Sequence, residues 1–395
     1  MSEPSLGLES ILDEAQLRAD GVTDLGGDPG EAAFKQGLTL LLDSLEREGR
    51  LNLLGRAIAR ERVLQHVTNR LLYVNDRKLF PEIAWEKIVK PVFIIGMPRT
   101  GTTILHDILA QDRSNRVPLT WETMFPSPPP DAATFESDPR IERCAATFPS
   151  VDAQIPAFKA MHPMGATLSQ ECVTMMGESM CTPLFHNQFR VPTYQDWADH
   201  EADWSHVYAF HQRQIQHLQW RNAGERWVLK TGAHMWGIEH LLRTYPDARI
   251  VFTHRDPVKS MTSYASLTAL VRSMGSDDVD PIEIADDWTA RIKRVLEHAI
   301  DVRSQEMHSD AIFYDMHFLD FVKDQFAVVE KIYEAFDLPM TGTGADRMRV
   351  FIADNPKGKH GIHRYAPEEF GVKPATIWAA FGPYMQRFGL EHEPL

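Results

Sequence analysis

The residues most suited to chemistry lie in one run, VFIIGMPRTGTT, at positions 92–103. Gly96 and Gly101 have the G-x-x-x-x-G spacing of a phosphate-binding loop between a buried strand and a helix. Backbone N–H groups at such a helix start hold phosphate oxygens with the help of the helix dipole. A plain strand-to-helix turn with glycines for packing is the alternative. The predicted phosphate contacts are Arg99, Thr100, Gly101, Thr102 and Thr103.

This loop lacks the lysine of ATP-binding loops. Thr102 and Thr103 stand where a P-loop carries Lys followed by Ser or Thr. Arg99 supplies a positive charge from inside the turn instead. The pattern therefore favours a phosphate-bearing donor other than ATP, and a P-loop kinase or NTPase is kept as an alternative function.

Further reactive side chains follow predicted strands, at the edge where open α/β sheets bind ligands. Arg255 ends one strand and Ser263 comes eight residues later, about two helical turns on, so the pair could hold a second phosphate. A surface ion pair of Arg255 with Asp256 or another neighbouring acid is the alternative. Lys230 ends another strand and His234 begins the next helix, where they could neutralise a leaving oxygen or take a proton. A polar residue without chemistry is the alternative for His234.

A late run, NPKGKHGIHRY at 355–365, is basic and carries glycines in a chain that is otherwise acidic. It predicts a loop that closes over an anion, with Lys357 among its charges. His360 and His363 have neither an HExxH pattern nor a cysteine partner, so no metal is expected.

The elements that must position these residues follow an alternating pattern. Short apolar runs at 92–95, 227–229, 249–253 and 311–314 predict strands, and helical patterns separate them. This alternation predicts an α/β fold with a parallel sheet and helices on both faces. Residues 1–90 are expected to be a helical N-terminal extension and 91–395 the α/β domain. Within that domain, 131–225 has no clear strand and is expected to be a helical insertion.

Composition limits the function further. The chain has 395 residues and a net charge of −14, which disfavours broad nucleic-acid binding. Its three cysteines are too few for a disulfide framework, and the acidic N-terminus has no signal-peptide core. No apolar stretch is long enough for a transmembrane segment. A cytoplasmic location is expected, and a homo-oligomer is left open.

Four motifs in this order resemble the sulfotransferases that use 3′-phosphoadenosine 5′-phosphosulfate (PAPS). PRTGTT is similar to the 5′-phosphosulfate loop of the bacterial and tyrosyl-protein branch, and Arg255 with Ser263 to the family's 3′-phosphate pair. FYDM resembles the family's FYEDM segment, which would bring Tyr314 near the adenine. Lys357-Gly358-x-x-Gly361 is similar to a late loop that also contacts the 3′-phosphate. The resemblance covers roughly residues 88–388 and implies a P-loop-like three-layer fold, PAPS as co-substrate and no metal.

The resemblance also implies catalytic roles. Arg99 and Lys230 suit the cations that stabilise the bridging oxygen. The base is left open between Glu122, which follows the first helix as in tyrosyl-protein sulfotransferases, and His234, placed near the cytosolic enzymes' histidine. Glu171 is a weaker third candidate, expected as a structural or acceptor-side acid.

The acceptor is expected to be a small molecule with a hydroxyl group, of phenol, sterol, lipid or polyketide type. The insertion is rich in aromatic residues and methionine, which could line an apolar pocket or form the insertion's own core. A relative that binds 3′-phosphoadenosine 5′-phosphate (PAP) without turnover is a further alternative. The apolar residues concerned are Phe158, Met161, Met164, Met175, Met176, Phe185, Phe189, Tyr194, Trp197 and Trp204.

Overall fold

A five-stranded parallel sheet forms the centre of the chain in the computed structural model, which describes residues 3–27, 30–148, 165–306, 309–356 and 366–394. Its strand order is β2-β3-β1-β4-β5, so β1 lies in the middle and both of its edges are paired. The strands are β1 (Val92–Gly96), β2 (Asn115–Arg116), β3 (Arg226–Lys230), β4 (Arg249–His254) and β5 (Phe313–His317).

The sheet separates two hydrophobic clusters, as the alternation of side chains along a strand requires. Val92 and Ile94 of β1 join the cluster on one face, and Phe93 and Ile95 join the cluster on the other. All four side chains are buried, so β1 reads as a continuous apolar run. Helices cover both faces, and the predicted three-layer α/β fold is confirmed.

Three helices precede the sheet, and most of their buried apolar residues belong to the same cluster as Phe93. Asn52 begins the third helix by accepting a hydrogen bond from the Gly55 backbone N–H at 2.9 Å. The predicted boundary near residue 90 is thus crossed by one continuous core, and the division into extension and domain stays a prediction. These helices are α1 (Leu8–Arg18), α2 (Gly30–Glu48) and α3 (Leu53–Leu79).

The other helices connect and cover the strands. From β1 to β3 they are α4 (Thr102–Leu109), α5 (Thr120–Met124), α6 (Pro139–Ala145), α7 (Cys172–Met175), α8 (Leu184–Gln188), α9 (Pro192–His200) and α10 (Ser205–Gln219). From β3 to β5 they are α11 (Ile238–Thr244), α12 (Pro257–Arg272), α13 (Pro281–Gln305) and α14 (Ser309–Ile312). After β5 come α15 (Phe318–Lys323), α16 (Gln325–Ala335), α17 (Gly342–Asp354), α18 (Pro374–Ala380) and α19 (Gly382–Phe388). Short 3₁₀ turns cover Pro81–Trp85, Phe135–Ser137, Met176–Ser179, Gly232–Gly237 and Pro367–Phe370.

Two strands differ from their sequence-based prediction. The edge strand β2 was not predicted, because Asn115 and Arg116 are polar and pair along only two residues with β3. The last strand was predicted at 311–314 and lies at Phe313–His317. It begins two residues later than predicted because Ala311 and Ile312 end a helical turn. In the described part of 131–225 the secondary structure is helical, apart from isolated bridges.

The aromatic residues and methionines of the insertion are core residues where they are described. Met175, Met176, Phe185, Tyr194 and Trp204 are buried in the larger cluster, together with Phe189 and Trp197. Their placement favours the insertion's own core over an acceptor pocket. Phe158, Met161 and Met164 lie outside the described residues.

Candidate active site

The glycine loop after β1 has an unusual backbone. Gly96, Arg99 and Gly101 all have positive φ angles, of 138°, 65° and 89°. A Cβ atom on Gly96 would come within 2.3 Å of the Thr253 hydroxyl oxygen, so only glycine fits there. The left-handed conformation at Arg99 is uncommon for a residue with a side chain and is a feature of functional turns. Gly101 then begins helix α4.

The hydroxyl groups of Thr100 and Ser260 stabilise this loop through hydrogen bonds to its backbone. The Thr100 hydroxyl donates to the Met97 carbonyl oxygen at 2.7 Å and lies 2.6 Å from the Thr253 hydroxyl, and Thr100 is fully buried. The Ser260 hydroxyl donates to the Pro98 carbonyl oxygen from helix α12. The Thr100 side chain therefore fixes the loop, and its backbone N–H is the group left to serve as the predicted phosphate contact.

Three predicted donor-site residues lie together at the carboxyl edge of the sheet. Arg99 donates from Nε to the Ser263 hydroxyl at 3.2 Å. Arg255 donates from Nη1 to the Arg99 carbonyl oxygen at 2.8 Å. Arg99 after β1, Arg255 after β4 and Ser263 on α12 thus form one basic cluster beside the glycine loop, at the carboxyl edge where open α/β sheets bind ligands.

The Arg255 guanidinium has two further neighbours. It lies 3.8 Å from the centroid of the Phe318 ring, a cation–π distance. It also forms a bidentate ion pair with Glu393, with Nε–Oε1 and Nη2–Oε2 distances of 2.8 and 2.9 Å. The acid that pairs with Arg255 is thus Glu393 and not Asp256, whose carboxylate accepts hydrogen bonds from the Val258 backbone and from Trp378.

Tyr314 lies apart from these contacts. It pairs with Val251 inside the sheet, and its ring contacts Phe336 at a centroid distance of 6.4 Å. Its place near an adenine stays a prediction. Lys357 and Gly358 lie outside the described residues, as does the rest of that predicted loop.

A second polar group lies at the end of β3, on the other side of the glycine loop. Lys230 Nζ is 2.5 Å from Glu171 Oε1 and donates to the Thr103 hydroxyl at 3.2 Å. Lys230 is almost completely buried, whereas a quarter of the Glu171 side chain is exposed. The lysine predicted as a cation is therefore anchored to helix α4 and paired with a carboxylate that solvent can reach.

Asp107 and Ser169 extend this second group and were not predicted. Asp107 lies one turn after Thr103 on helix α4, and the Ser169 hydroxyl donates to its carboxylate. Burial raises the pKa of Asp107, although Ser169 and Lys230 oppose the shift. The i,i+4 spacing from Thr103 was the available sequence signal for Asp107.

Glu122 has a different environment. It is fully buried and forms a bidentate pair with Arg116, with one N–O distance of 2.9 Å. The Leu119 backbone N–H donates to the same carboxylate at 3.0 Å. The Arg116 guanidinium also lies 4.8 Å from the Trp227 ring. These contacts favour a structural ion pair, and the role of Glu122 as base stays a prediction without a geometric argument in its favour.

His234 lies on the opposite face of the sheet from Lys230. Lys230 shares the face of Val228, while the His234 ring packs edge-on against Phe93 at a centroid distance of 4.9 Å. Its Nδ1 is 2.9 Å from the Tyr208 hydroxyl. Burial places the pKa of His234 well below its usual value, so the ring is neutral. The structure brings neither His234 nor Glu122 to the Lys230–Glu171 pair.

Comparison with known proteins identifies the family. A profile of the sulfotransferase family matches residues 91–342. The chain belongs to the sulfotransferase family. It is 24% identical over 335 residues to omega-hydroxy-beta-dihydromenaquinone-9 sulfotransferase Stf3 of Mycobacterium bovis and of Mycobacterium tuberculosis. That match covers 78% of this chain and 81% of the relative.

Solved structures agree with this assignment. The sulfotransferase STF9 from Mycobacterium avium is 25% identical, covers 100% of both chains and has a TM-score of 0.90. STF1 from Mycobacterium tuberculosis H37Rv is 28% identical, with a TM-score of 0.84 over 95% of this chain and 98% of that one. The resemblance inferred from the four motifs is confirmed at the level of the family and the fold.

Among its described residues, the sulfotransferase has no metal-ligand cluster, membrane-spanning helix or disulfide. Over the described ranges, no group of three or more His, Cys, Asp or Glu side chains could hold a metal ion. In the same part of the chain, no helix combines the length and apolar composition needed to span a bilayer. Cys144, Cys172 and Cys181 are buried and unpaired. The absence of a metal requirement stays a prediction.

Proposed function

We propose that this sulfotransferase transfers the sulfuryl group of PAPS to a hydroxyl group of a small, largely apolar acceptor. The observation that carries the donor assignment is the cluster of Arg99, Ser263 and Arg255 beside the glycine loop. Two separate phosphate groups require two anion sites at this edge. The loop amides suit a 5′-phosphosulfate, and Arg255 with Ser263 suits a 3′-phosphate.

The residues present fit this donor better than ATP. Positive φ angles at Gly96, Arg99 and Gly101 give the loop the kind of turn whose backbone N–H groups can face an anion. Thr102 replaces the lysine that ATP-binding loops need, and Arg99 carries the charge. Tyr314, Lys357 and Gly358 complete the proposed donor site by resemblance.

The Lys230–Glu171 pair is the proposed catalytic centre. Glu171 is the partly exposed carboxylate of this group, so an acceptor hydroxyl can reach it. Lys230 lies between Glu171 and Thr103, the latter in the first turn of helix α4, and this position suits a cation near the bridging oxygen. We therefore favour Glu171 as the base over Glu122 and His234.

The proposed reaction is an in-line displacement at sulfur. A bond forms between the acceptor oxygen and sulfur as the bond from sulfur to the 5′-phosphate oxygen breaks. The acceptor proton passes to the Glu171 carboxylate, and Arg99 and Lys230 stabilise the negative charge that develops on the departing oxygen. PAP and a sulfate ester are the products.

An apolar acceptor is supported by two observations. The name of the mycobacterial relative specifies a hydroxylated dihydromenaquinone. In this chain, the segment that leads to Glu171 carries the exposed Leu168, and its Ser169 pairs with the partly exposed Leu119 in a β-bridge. A cytoplasmic location remains part of the proposal.

Calorimetric titration with PAP and a transfer assay with radiolabelled PAPS test this function. We expect PAP to bind without added metal and label to pass to an apolar alcohol such as a hydroxylated quinone. Mg²⁺-dependent binding of ATP in place of PAP would instead support a kinase or NTPase. PAP binding without transfer to any of a panel of phenols, sterols and isoprenoid alcohols would support a silent relative.

A further inference from the structure

The C-terminal segment, residues 390–394, folds back onto the proposed donor site. Helix α19 ends at Phe388, and the next residue, Gly389, takes the left-handed conformation with φ of 60° and reverses the chain direction. The Leu390 backbone N–H then donates to the Met385 carbonyl oxygen at 2.9 Å. This turn directs the following residues toward Arg255.

Two contacts besides the Arg255 ion pair hold the segment. The Glu393 backbone N–H donates to Asp256 Oδ2 at 2.7 Å. The His392 ring stacks on the Trp378 ring at a centroid distance of 3.8 Å and an angle of 7°. Trp378 in turn donates to the other oxygen of Asp256 at 2.9 Å. The position of Glu393 is therefore set by a network centred on Asp256, the residue next to Arg255.

Glu393 engages the N–H groups of Arg255 that a phosphate would need. Its two carboxylate oxygens accept from Nε and Nη2, the fork geometry by which arginine also binds phosphate. Nη1 donates to the Arg99 carbonyl oxygen. The side chains of Arg255 and Glu393 are only 16% and 10% exposed, so the carboxylate occupies a mostly enclosed position. An incoming anion and Glu393 compete for the same edge of the guanidinium.

We propose that the Glu393 carboxylate is an internal substitute for the 3′-phosphate of the donor, held on Arg255 until that phosphate displaces it. The inference rests on the proposed function, because it takes Arg255 as the 3′-phosphate contact. It goes beyond that function by making the C-terminal segment a gate whose release accompanies donor binding. The segment lowers donor affinity. Between turnovers it keeps Arg255 ion-paired with Glu393 and oriented toward the glycine loop.

The direct test compares PAP affinity of Glu393→Gln and of the wild-type protein by calorimetry. Glu391→Gln is the matched control, because Glu391 is exposed and two residues away. Removing the competing charge should tighten PAP binding by about 3- to 10-fold, the range expected for a partly shielded ion pair. The control should bind PAP as the wild type does. Unchanged or weaker PAP binding by Glu393→Gln would overturn the proposal.

Adenosine 5′-monophosphate gives a second readout with the same variants. It lacks the 3′-phosphate, so it does not require Arg255 to be released. The gain from Glu393→Gln should therefore be confined to PAP. An equal gain for both nucleotides would mean that the segment obstructs the pocket in general and would refute phosphate mimicry.

Hydrogen exchange tests the release itself in the wild-type protein. The Glu393 amide is hydrogen-bonded to Asp256, so its exchange is slow when the segment is docked. Saturating PAP should speed exchange in a peptide that contains residues 390–394. Protection that stays the same or increases would contradict displacement.

Arg255→Ala separates a failure of this inference from a failure of the proposed function. If Arg255→Ala leaves PAP affinity unchanged, the donor site itself has been misplaced. If Arg255→Ala weakens PAP binding while Glu393→Gln does not strengthen it, the donor site stands and the gate is refuted.

Discussion

Two sets of ionisable residues look alike in the sequence and differ in the structure. Arg99, Lys230 and Arg255 line the carboxyl edge of the sheet, where each contacts a group from another element of the chain. Glu122 and His234 are enclosed by fixed partners, Arg116 for the one and Tyr208 for the other. We infer from this difference that a reactive side chain at a strand end is available for chemistry only if a ligand can replace its partner.

The largest effect should come from Glu171→Gln. Loss of the base should lower kcat by about 10²- to 10⁴-fold, because the acceptor proton then has no carboxylate to receive it. PAP affinity should stay close to wild type, whereas the free energy of unfolding should fall, because the almost completely buried Lys230 loses its counter-charge. A steady-state assay with parallel calorimetry measures kcat and PAP affinity.

Glu122→Gln and His234→Asn are the matched comparisons for that experiment. If either of them abolishes turnover in a folded protein while Glu171→Gln remains active, the assignment of the base to Glu171 is wrong. Both should bind PAP, because neither side chain contacts the glycine loop.

Glu122→Gln should instead reduce stability. The change leaves the buried guanidinium of Arg116 without a counter-charge, which costs about 3–5 kcal/mol of unfolding free energy. Urea denaturation measures this loss. Glu142→Gln, an exposed acid on helix α6, serves as control and should unfold at the wild-type midpoint.

Arg99→Ala should weaken PAP binding by about 1.5–3 kcal/mol, the value of one charge-assisted hydrogen bond. Lys259→Ala, on the first turn of helix α12, removes a nearby cation without touching the loop and should have a smaller effect. Equal PAP affinity for wild type and Arg99→Ala, measured by calorimetry at constant salt, would contradict the assigned donor site.

The smallest effect concerns pH and the enclosed histidines. Burial lowers the pKa of His211 from 6.5 to about 3. Below pH 6.5 the unfolded chain binds a proton that the folded chain excludes, so stability falls as the pH is lowered toward 3. His211→Gln should remove at most about 1.4 kcal/mol per pH unit from this slope. Urea midpoints between pH 7 and 4.5 measure it, with the exposed His200→Gln as control; identical slopes in all three proteins would refute the argument.

The meeting of Arg99, Lys230 and Arg255 at one edge of the sheet could be predicted from the sequence. Parallel strands end at a common edge, so Arg99, Lys230 and Arg255 had to meet there once the strands were recognised. The eight-residue step to Ser263 also follows from helix geometry. These predictions needed only local patterns and one rule about sheets.

The environments of Glu122 and His234 could not be predicted from the sequence, for two physical reasons. The partner of Glu122 lies on β2, a strand of two polar residues that leaves no periodic signal. His234 was expected near Lys230, but a 3₁₀ turn carries the chain around the end of β3 to the other face of the sheet.

The ion pair between Arg255 and Glu393 could not be predicted either, because it joins residues 138 positions apart and no sequence pattern marks it.

The helices before the sheet carry a consequence for how this family is delimited. The family profile begins at residue 91, yet Asn69 donates to the Thr123 carbonyl oxygen and Arg70 to that of Glu178, both beyond that boundary. A fragment that began at residue 91 would strip buried carbonyl groups of their donors and open the larger cluster to water. The segment that the family profile matches is thus smaller than the unit that must fold together.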